Sequence, residues 1–172
     1  MILTGEKIRE EVSAGKIIIE PFLEERITTN SYDLTLGNML VAYTDEVLDP
    51  RKKPCTQEFP ITDDGYVMKR GDFLLGSSSE YIGSDHYVPI VHAKSSIARL
   101  GLFIHITSGL FDIGGVCNVT FHLYATASVR LFKGMPIAQM TFWKTVGEIT
   151  LYNGKYKGDR GAVASRIYKD FR

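Results

Sequence analysis

Short runs of β-forming residues, separated by turn residues, fill most of the chain after Lys16 and constrain its fold more than any other feature. The runs are rich in Ile, Val, Tyr, Phe and Thr, and Asp-Gly, Gly-Asp or Pro interrupts them. They cover residues 17–20, 31–36, 39–43, 66–68, 73–76, 90–92 and 119–124. Many short strands at close spacing predict an all-β sandwich or barrel.

One helix is predicted, at residues 4–15. Thr4 can cap its N-terminus, Ile8 and Val12 recur at helical spacing, and Gly15 can end it. A length of 172 residues with 44% hydrophobic content suffices for one sizeable core, so we expect a single domain over residues 1–172. Residues 49–64 combine charges with turn residues and are predicted to form a solvated loop rather than a phosphate contact.

Charge and composition exclude several classes of function. Twenty Lys and Arg balance twenty Asp and Glu, so no global field favours a nucleic acid polymer or an anionic membrane, and phosphate recognition must be local. We find neither a secretory signal nor an apolar stretch of the roughly 20 residues that span a bilayer, and we expect a cytosolic protein. Cys55 and Cys117 lie far apart, which favours reduced thiols. Zinc-dependent deaminases need H-x-E and P-C-x-x-C elements, so any deamination by this chain would be zinc-free.

The segment 94–112 carries the densest polar chemistry of the chain. Lys94, Ser95, Ser96 and Arg99 put two cations and two hydroxyls within six positions, and a guanidinium can bind phosphate oxygens in bidentate fashion. The alternative is a solvated helical turn, the usual state of Lys and Arg. Asp112 precedes two glycines, and it is either a turn former or a ligand to a sugar hydroxyl or a water.

Four side chains beyond this segment leave two interpretations open. His122 lies in an alternating strand, as a satisfied core or interface histidine or as a catalyst. Gln139 in an apolar strand needs a partner, which the backbone or a ligand amide could supply. Tyr152 and Lys155 belong to a glycine-rich, cationic and aromatic C-terminal segment, which is either disordered or folds over a ligand as a lid.

Several blocks of sequence occur in an order that is similar to the dCTP deaminase family, in the dUTPase superfamily. They are Ile2-Leu3-Thr4, Ile19-Glu20-Pro21-Phe22, Ser31-Tyr32-Asp33-Leu34, the run from Lys94 to Gly109, and the ending Gly161-Ala162-Val163-Ala164-Ser165-Arg166. The resemblance covers almost the whole chain. It implies a distorted β-barrel or jelly-roll-like fold of dUTPase type and a homotrimer with sites shared between subunits. It also implies that residues 152–172 close as a lid over a deoxynucleoside triphosphate and its Mg²⁺.

The resemblance further implies roles for individual residues. Ser95 and Ser96 match serines that bind phosphate and help to order the catalytic water. Arg99 matches an arginine that reaches into the neighbouring subunit's site. Asp112 matches the aspartate at the deoxyribose, whose dUTPase counterpart helps to activate water, and Gln139 matches a glutamine shared with dUTPases.

The tail residues Tyr152 and Lys155 match residues that meet the triphosphate. We therefore expect one nucleotide site built from residues that are distant in sequence. Its binding candidates are Lys94, Ser95, Ser96, Arg99, Thr107, Asp112, Gln139, Tyr152, Lys155 and Asp159.

Four positions depart from the family pattern. Lys94 stands where Arg is usual, Gly115 replaces a bulky aromatic residue, and Asp159 replaces a glutamine. A carboxylate near phosphates is repulsive unless a metal intervenes. His122 replaces the glutamate that takes a proton from water, although a neutral imidazole can accept a proton near pH 7.

The leading prediction is a zinc-independent dCTP deaminase-like hydrolase that converts dCTP, or a related pyrimidine deoxynucleoside triphosphate, to dUTP and ammonia. His122 is the predicted base, while Ser95 and Arg99 order the water and the developing charge. No side chain is predicted to ligate a metal, and Mg²⁺ is expected to arrive on the triphosphate. Two alternatives remain open: a dUTPase-like diphosphatase, for which Asp112 and Gln139 are present, and a nucleotide-binding or sensor protein without catalysis.

Overall fold

A computed structural model describes residues 1–171 and consists mainly of β-strands. The elements are α1 (Gly5–Ser13), β1 (Ile17–Glu20), β2 (Tyr32–Tyr43), β3 (Thr56–Pro60), β4 (Tyr66–Met68), β5 (Phe73–Ser84), β6 (Val88–Ala93), α2 (Ser95–Ala98), β7 (Leu102–Phe103), β8 (Val116–Ala125), β9 (Val129–Leu131) and β10 (Pro136–Trp143). Short 3-10 helices lie at Glu24–Arg26 and Ile167–Phe171.

Eight strands form one nearly closed, barrel-like sheet. Hydrogen-bonded neighbours follow the order β6-β10-β2-β5-β8-β7, while β1 pairs with β5 and β3 pairs with β2. The strands β4 and β9 form a separate two-stranded sheet, and the pairings are antiparallel. The prediction of a mainly β, barrel-like fold is therefore confirmed.

The helix α1 occupies most of the range predicted for it. The Thr4 hydroxyl accepts the Lys7 amide at 3.3 Å, as an N-cap does. The helix ends at the C-cap Ala14, and Gly15 follows with φ of 70°. Ile8 is fully buried and packs into the core, which ties the helix to the barrel.

Residues 49–64 are not wholly the loop that the sequence predicts. Thr56–Pro60 form β3, which pairs with β2 from Met39↔Pro60 to Tyr43↔Thr56. The polar residues of β3 remain largely exposed, so its sequence lacks the apolar alternation by which strands are found. The pairing with β2 overrides that weak local preference.

The strand β8 places side chains on two faces. Val119, Phe121 and Leu123 are fully buried in the core. The intervening Asn118, Thr120 and His122 are only partly buried and face a cavity on the opposite side. Truncating a buried phenylalanine typically costs about 3–5 kcal/mol of stability. The core residues thus fix the position of the polar face.

Candidate active site

A cavity of about 610 Å³ opens along the polar face of β8. It contains five of the residues that the sequence predicts for the site: Thr107, Asp112, His122, Tyr152 and Asp159. Tyr43, Phe73 and Leu75 form an apolar part of its wall. A volume of this size suits a ligand as large as a nucleotide, since pockets for small molecules span roughly 300–1,000 Å³.

The imidazole of His122 lies in the wall of this cavity. Leu75 on β5 is its cross-strand neighbour, and the His122 amide donates to the Ile104 carbonyl oxygen at 2.9 Å. Among residues 1–171 its ring has no hydrogen-bond partner, so it is not a satisfied core histidine. Burial, aided by the charge of His105, lowers the pKa of His122 below its usual value of 6.5. The ring is therefore neutral near pH 7 and can accept a proton.

Asp112 forms a turn and also lines the cavity. Its carbonyl oxygen accepts the Gly115 amide at 3.0 Å, which closes a turn. Its carboxylate is exposed to the cavity. Gly114 in this turn has φ of 89°, and a β-carbon there would lie 2.9 Å from the Tyr152 nitrogen. The turn therefore needs glycine to admit the C-terminal segment.

Residues 152–171, which we call the tail, pack along β8 and over the cavity. The Gly158 amide donates to the Val116 carbonyl oxygen, and the Asn118 amide donates to the Asp159 carbonyl oxygen, both at 3.0 Å. The Val163 amide donates to the Thr120 hydroxyl at 3.2 Å. Closure of this segment as a lid over a ligand stays a prediction. Arg172, the last residue of the predicted lid, lies outside the described residues.

Tyrosine hydroxyls hold the backbone of the tail. The Tyr152 hydroxyl accepts the Tyr156 amide at 3.2 Å, and the Tyr156 hydroxyl accepts the Arg166 amide at 2.8 Å. The Tyr43 hydroxyl accepts the Ser165 amide at 2.9 Å. Because each bond satisfies a donor that no sheet partner reaches, the three tyrosines fix the path of the tail above the cavity.

Asp159 lines the cavity from the tail, and its two carboxylate oxygens differ. Oδ1 accepts from the Arg166 guanidinium at 2.9 Å. Oδ2 is buried and has no hydrogen-bond partner within residues 1–171. Burial and, secondarily, the Asp159 charge raise the pKa of the Cys117 thiol to about 11. Cys117 lines the same cavity, so the field of the carboxylate reaches the cavity wall.

The predicted phosphate-binding cluster lies elsewhere. Ser95, Ser96 and Arg99 are exposed on and beside the four-residue helix α2, where Arg99 Nη1 donates to Ser95 Oγ at 3.4 Å. None of the three lines the cavity. Within the described residues, the cavity is lined by two carboxylates and by neither Lys nor Arg.

Three further candidates also lie outside the cavity. Lys94 forms an ion pair with Asp33, and Lys155 forms one with Asp170. Gln139 Oε1 accepts from the Ser31 hydroxyl at 3.4 Å, so a partner within the chain already satisfies part of this amide. One chain therefore brings together five of the predicted residues and leaves six outside.

Sequence reasoning missed several residues of the cavity. Asn118 and Thr120 line it and hold the tail, and Tyr156 joins them from the tail itself. The alternation around His122 could have found Asn118 and Thr120, because residues two and four positions earlier share its face. No local sequence pattern predicts that Tyr156 lines the cavity, since its position depends on the path of the tail.

Membrane-spanning helices and metal-binding clusters are both absent from residues 1–171. No helix within residues 1–171 is long and apolar enough to cross a membrane. In the same residues no group of three or more His, Cys, Asp and Glu side chains could hold a metal ion.

Comparisons with known proteins agree with this architecture. Residues 2–145 match the family model described as dCTP deaminase-like. The chain is 40% identical, over 173 residues and 99% of both chains, to the dCTP deaminase, dUMP-forming, of Clostridium acetobutylicum. A protein of the same name from Cytophaga hutchinsonii is 36% identical over 172 residues, again with 99% of both chains covered.

Two solved structures share the fold. The crystal structure of 2′-deoxycytidine 5′-triphosphate deaminase from Agrobacterium tumefaciens superposes with a TM-score of 0.65 at 18% identity, over 82% of this chain and 47% of that chain. The native dUTPase of EIAV gives a TM-score of 0.52 at 15% identity, over 82% of this chain and 98% of that chain. The expected dUTPase-type fold is thereby confirmed.

Proposed function

Since the chain belongs to the dCTP deaminase-like family, we propose that it is a zinc-independent hydrolase that deaminates dCTP and releases dUMP. The relatives named above are enzymes of this kind, and their names give dUMP as the product. The sequence analysis predicted dUTP, so the proposed end product is corrected to dUMP.

The observation that carries the proposal is the position of His122. Its ring lies in the wall of the nucleotide-sized cavity, has no competing hydrogen bond within residues 1–171, and has a lowered pKa. Those are the properties of a base that is free to accept a proton near neutral pH. Deamination needs such a group beside the base of the nucleotide.

In the proposed reaction His122 takes a proton from a water molecule as the water oxygen attacks C4 of cytosine. The imidazolium then returns that proton to the 4-amino nitrogen, and the C4–N bond breaks to release ammonia. The second proton of the water passes from the new C4 hydroxyl to N3, which leaves uracil with a C4 carbonyl. Ser95 and Arg99 orient the water and stabilise the developing charge. A positioned base typically contributes about a hundred- to ten-thousandfold to the rate.

Release of diphosphate is the second step that we assign to this cavity. Asp112 lines the same cavity as His122, and a carboxylate can orient a second water for attack on the α-phosphorus. The bond from that phosphorus to the bridging oxygen breaks, which yields dUMP and diphosphate. The name of the relatives and the presence of Asp112 favour this step.

Charge balance supports a site shared between copies of the chain. A triphosphate is strongly anionic, whereas within residues 1–171 the cavity is lined by two carboxylates and by neither Lys nor Arg. Lys94 and Arg99 lie outside it, at a surface that also exposes Leu100 and Phe103. Exposed apolar residues next to charged ones are typical of interfaces. We therefore propose a homotrimer in which α2 of one copy completes the cavity of the next.

Mg²⁺ and the tail complete the proposal. Mg²⁺ bound to the triphosphate would neutralise part of its charge, and the unsatisfied Asp159 oxygen makes the cavity compatible with a cation. Tyr152 contacts the nucleotide from within the cavity wall. Lys155 leaves its ion pair with Asp170 and binds the phosphates instead. The tail thereby closes the site against water. A cytosolic location stays a prediction.

The test is an incubation of pure protein with Mg²⁺ and dCTP, dUTP or dTTP, in which ammonia, diphosphate and nucleotides are measured. We expect ammonia and diphosphate from dCTP, with dUMP accumulating. Diphosphate from dUTP without ammonia from dCTP would replace the proposal by a diphosphatase. Tight binding with neither product would identify a nucleotide-binding protein.

A further inference from the structure

The cavity has an unbalanced negative charge, of which the proposed reaction uses only Asp112. Asp112 and Asp159 both line it, and His122 is neutral near pH 7. Among the described residues the nearest compensation for Asp159 is Arg166, which binds only Oδ1. A triphosphate that entered alone would meet two carboxylates, and like charges in such an enclosure repel strongly.

One carboxylate oxygen of Asp159, Oδ2, is an acceptor without a donor among the described residues. The Asp159 side chain is 15% exposed, and its Oδ2 atom is fully buried and unsatisfied within residues 1–171. Leaving a buried charged acceptor unpaired is costly, so such an atom commonly receives a donor from a ligand. Its backbone is firmly held, because the Asn118 amide donates to the Asp159 carbonyl oxygen at 3.0 Å.

Mg²⁺ is the partner that fits both observations, because it can take Oδ2 as a ligand or present it with a metal-bound water. It prefers oxygen ligands, keeps several waters, and is usually bound by one or two carboxylates together with substrate phosphates. The described residues provide no cluster able to hold a metal without a nucleotide, so the phosphates must supply the remaining ligands. A sugar hydroxyl or an amino group would satisfy Oδ2 but would leave the phosphates next to an uncompensated carboxylate.

We propose that Asp159 holds the divalent cation of a metal–triphosphate substrate, directly or through one metal-bound water. This inference rests on the proposed function, because it takes the triphosphate as the ligand of the cavity. It assigns the tail a second role besides closure: the tail brings one carboxylate to the metal when it covers the cavity. Selection of the metal-bound nucleotide over the free one follows from this role.

The test compares nucleotide binding with and without metal. The probe is the α,β-imido analogue of dUTP, which can be neither deaminated nor cleaved between its first two phosphates. Calorimetry with Mg²⁺ or with EDTA gives the two dissociation constants. Electron paramagnetic resonance of Mn²⁺ reports the metal itself. The variant is Asp159→Asn, which keeps an amide oxygen for Arg166, and the matched control is the exposed Asp63→Asn, whose residue pairs with Lys133 outside the cavity.

Two opposite shifts are expected in Asp159→Asn. Binding of the metal-loaded analogue weakens by about 10- to 100-fold, as for the loss of a metal-orienting group. Binding of the metal-free analogue is unchanged or tighter, because a repulsive charge is gone. The Mn²⁺ signal broadened by wild-type protein and analogue reverts toward that of the Mn²⁺–analogue complex alone, whereas Asp63→Asn behaves as wild type.

Other outcomes separate the inference from the proposed function. An equal loss of affinity with and without Mg²⁺ would mean that Asp159 serves only to hold Arg166 and the tail, and would overturn the inference. Arg166→Gln is expected to give that equal loss, and it provides the reference for a tail defect. If the wild-type protein bound the analogue under neither condition, the proposed function would fail and the inference with it.

Discussion

The cavity along β8 and the exposed segment Lys94–Arg99 carry opposite halves of one chemistry. The cavity offers a neutral imidazole, two carboxylates and an apolar wall, enclosed by the tail. The segment offers Arg99 and two hydroxyls on an open surface, beside a partly buried Lys94 that pairs with Asp33. Under our proposal neither region suffices as a nucleotide site, since within residues 1–171 the cavity has no lining cation and the segment is not enclosed.

The comparison separates the residues proposed for proton transfer from those proposed for phosphate binding. Residues that exchange protons need a partly desolvated environment, which lowers the pKa of His122. Residues that hold phosphates keep their charge at the surface, where hydration costs them little until a partner arrives. The assembly of copies that we propose would give one site both kinds of environment.

The largest effect is expected from removing the imidazole of the cavity. His122→Ala should lower deamination of dCTP by about a hundred- to ten-thousandfold, because the proposed deamination uses His122 as its base and assigns Asp112 to the diphosphate step. Ammonia release is the measurement, and the exposed His86→Ala is the matched control. His122→Glu should retain or raise the rate, since it restores a carboxylate base. A wild-type rate of ammonia release in His122→Ala would show that His122 is not the base.

Truncation after Leu151 tests the enclosure. Loss of Tyr152 and Lys155 should weaken binding of triphosphate by roughly 100- to 10,000-fold, at about 1.5–3 kcal/mol for each of two bonds to a charged group. The barrel should stay folded, because β10, its last strand, ends at Trp143. Circular dichroism checks the fold, and calorimetry with the imido analogue checks binding. Unchanged affinity in the truncated protein would refute the lid.

Arg99→Ala tests the cationic half. It should weaken binding of triphosphate by about 10- to 100-fold, as expected for one charge-assisted hydrogen bond. It should leave the binding of deoxycytidine, which lacks phosphates, unchanged. Arg51→Ala, at another exposed arginine, is the control. Equal losses for nucleoside and triphosphate would point to a folding defect instead.

The smallest effect concerns pH. The lowered pKa of His122 predicts a rate that is constant near pH 7 and begins to fall only below pH 6.5, the usual pKa of the group. Well below the actual pKa the rate should fall by about tenfold per pH unit, because only the neutral imidazole accepts a proton. Rates measured between pH 5 and 8 give the pH at which this acidic decline begins. His122→Glu should shift the decline to lower pH. An acidic decline of the rate that begins above pH 6.5 would contradict the assignment of His122 as the base.

Much of the barrel could be predicted from the sequence, because its strands are short apolar runs bounded by turn residues. The helix α1 was found from its cap and spacing, while β3 was missed because pairing with β2, not local pattern, creates it. The family was found from ordered blocks, and the comparisons confirm it.

The site was predicted less completely than the fold. Alternation around His122 places it on a polar face, but only the three-dimensional path of the tail brings Tyr156 to the cavity. The sequence also could not show that one chain separates Arg99 from His122. That separation follows from the positions of α2 and β8 in the barrel.

Mixing two impaired variants, at a dCTP concentration too low to saturate Arg99→Ala, tests most directly whether the two regions form one site across copies. Arg99→Ala and His122→Ala proteins are unfolded together, refolded as mixed assemblies, and compared with each variant refolded alone. If α2 of one copy completes the cavity of another, some mixed sites combine an intact Arg99 with an intact His122, and ammonia release from dCTP returns. The account predicts that recovery. Mixed assemblies of the correct mass with no more activity than the separate variants would contradict it.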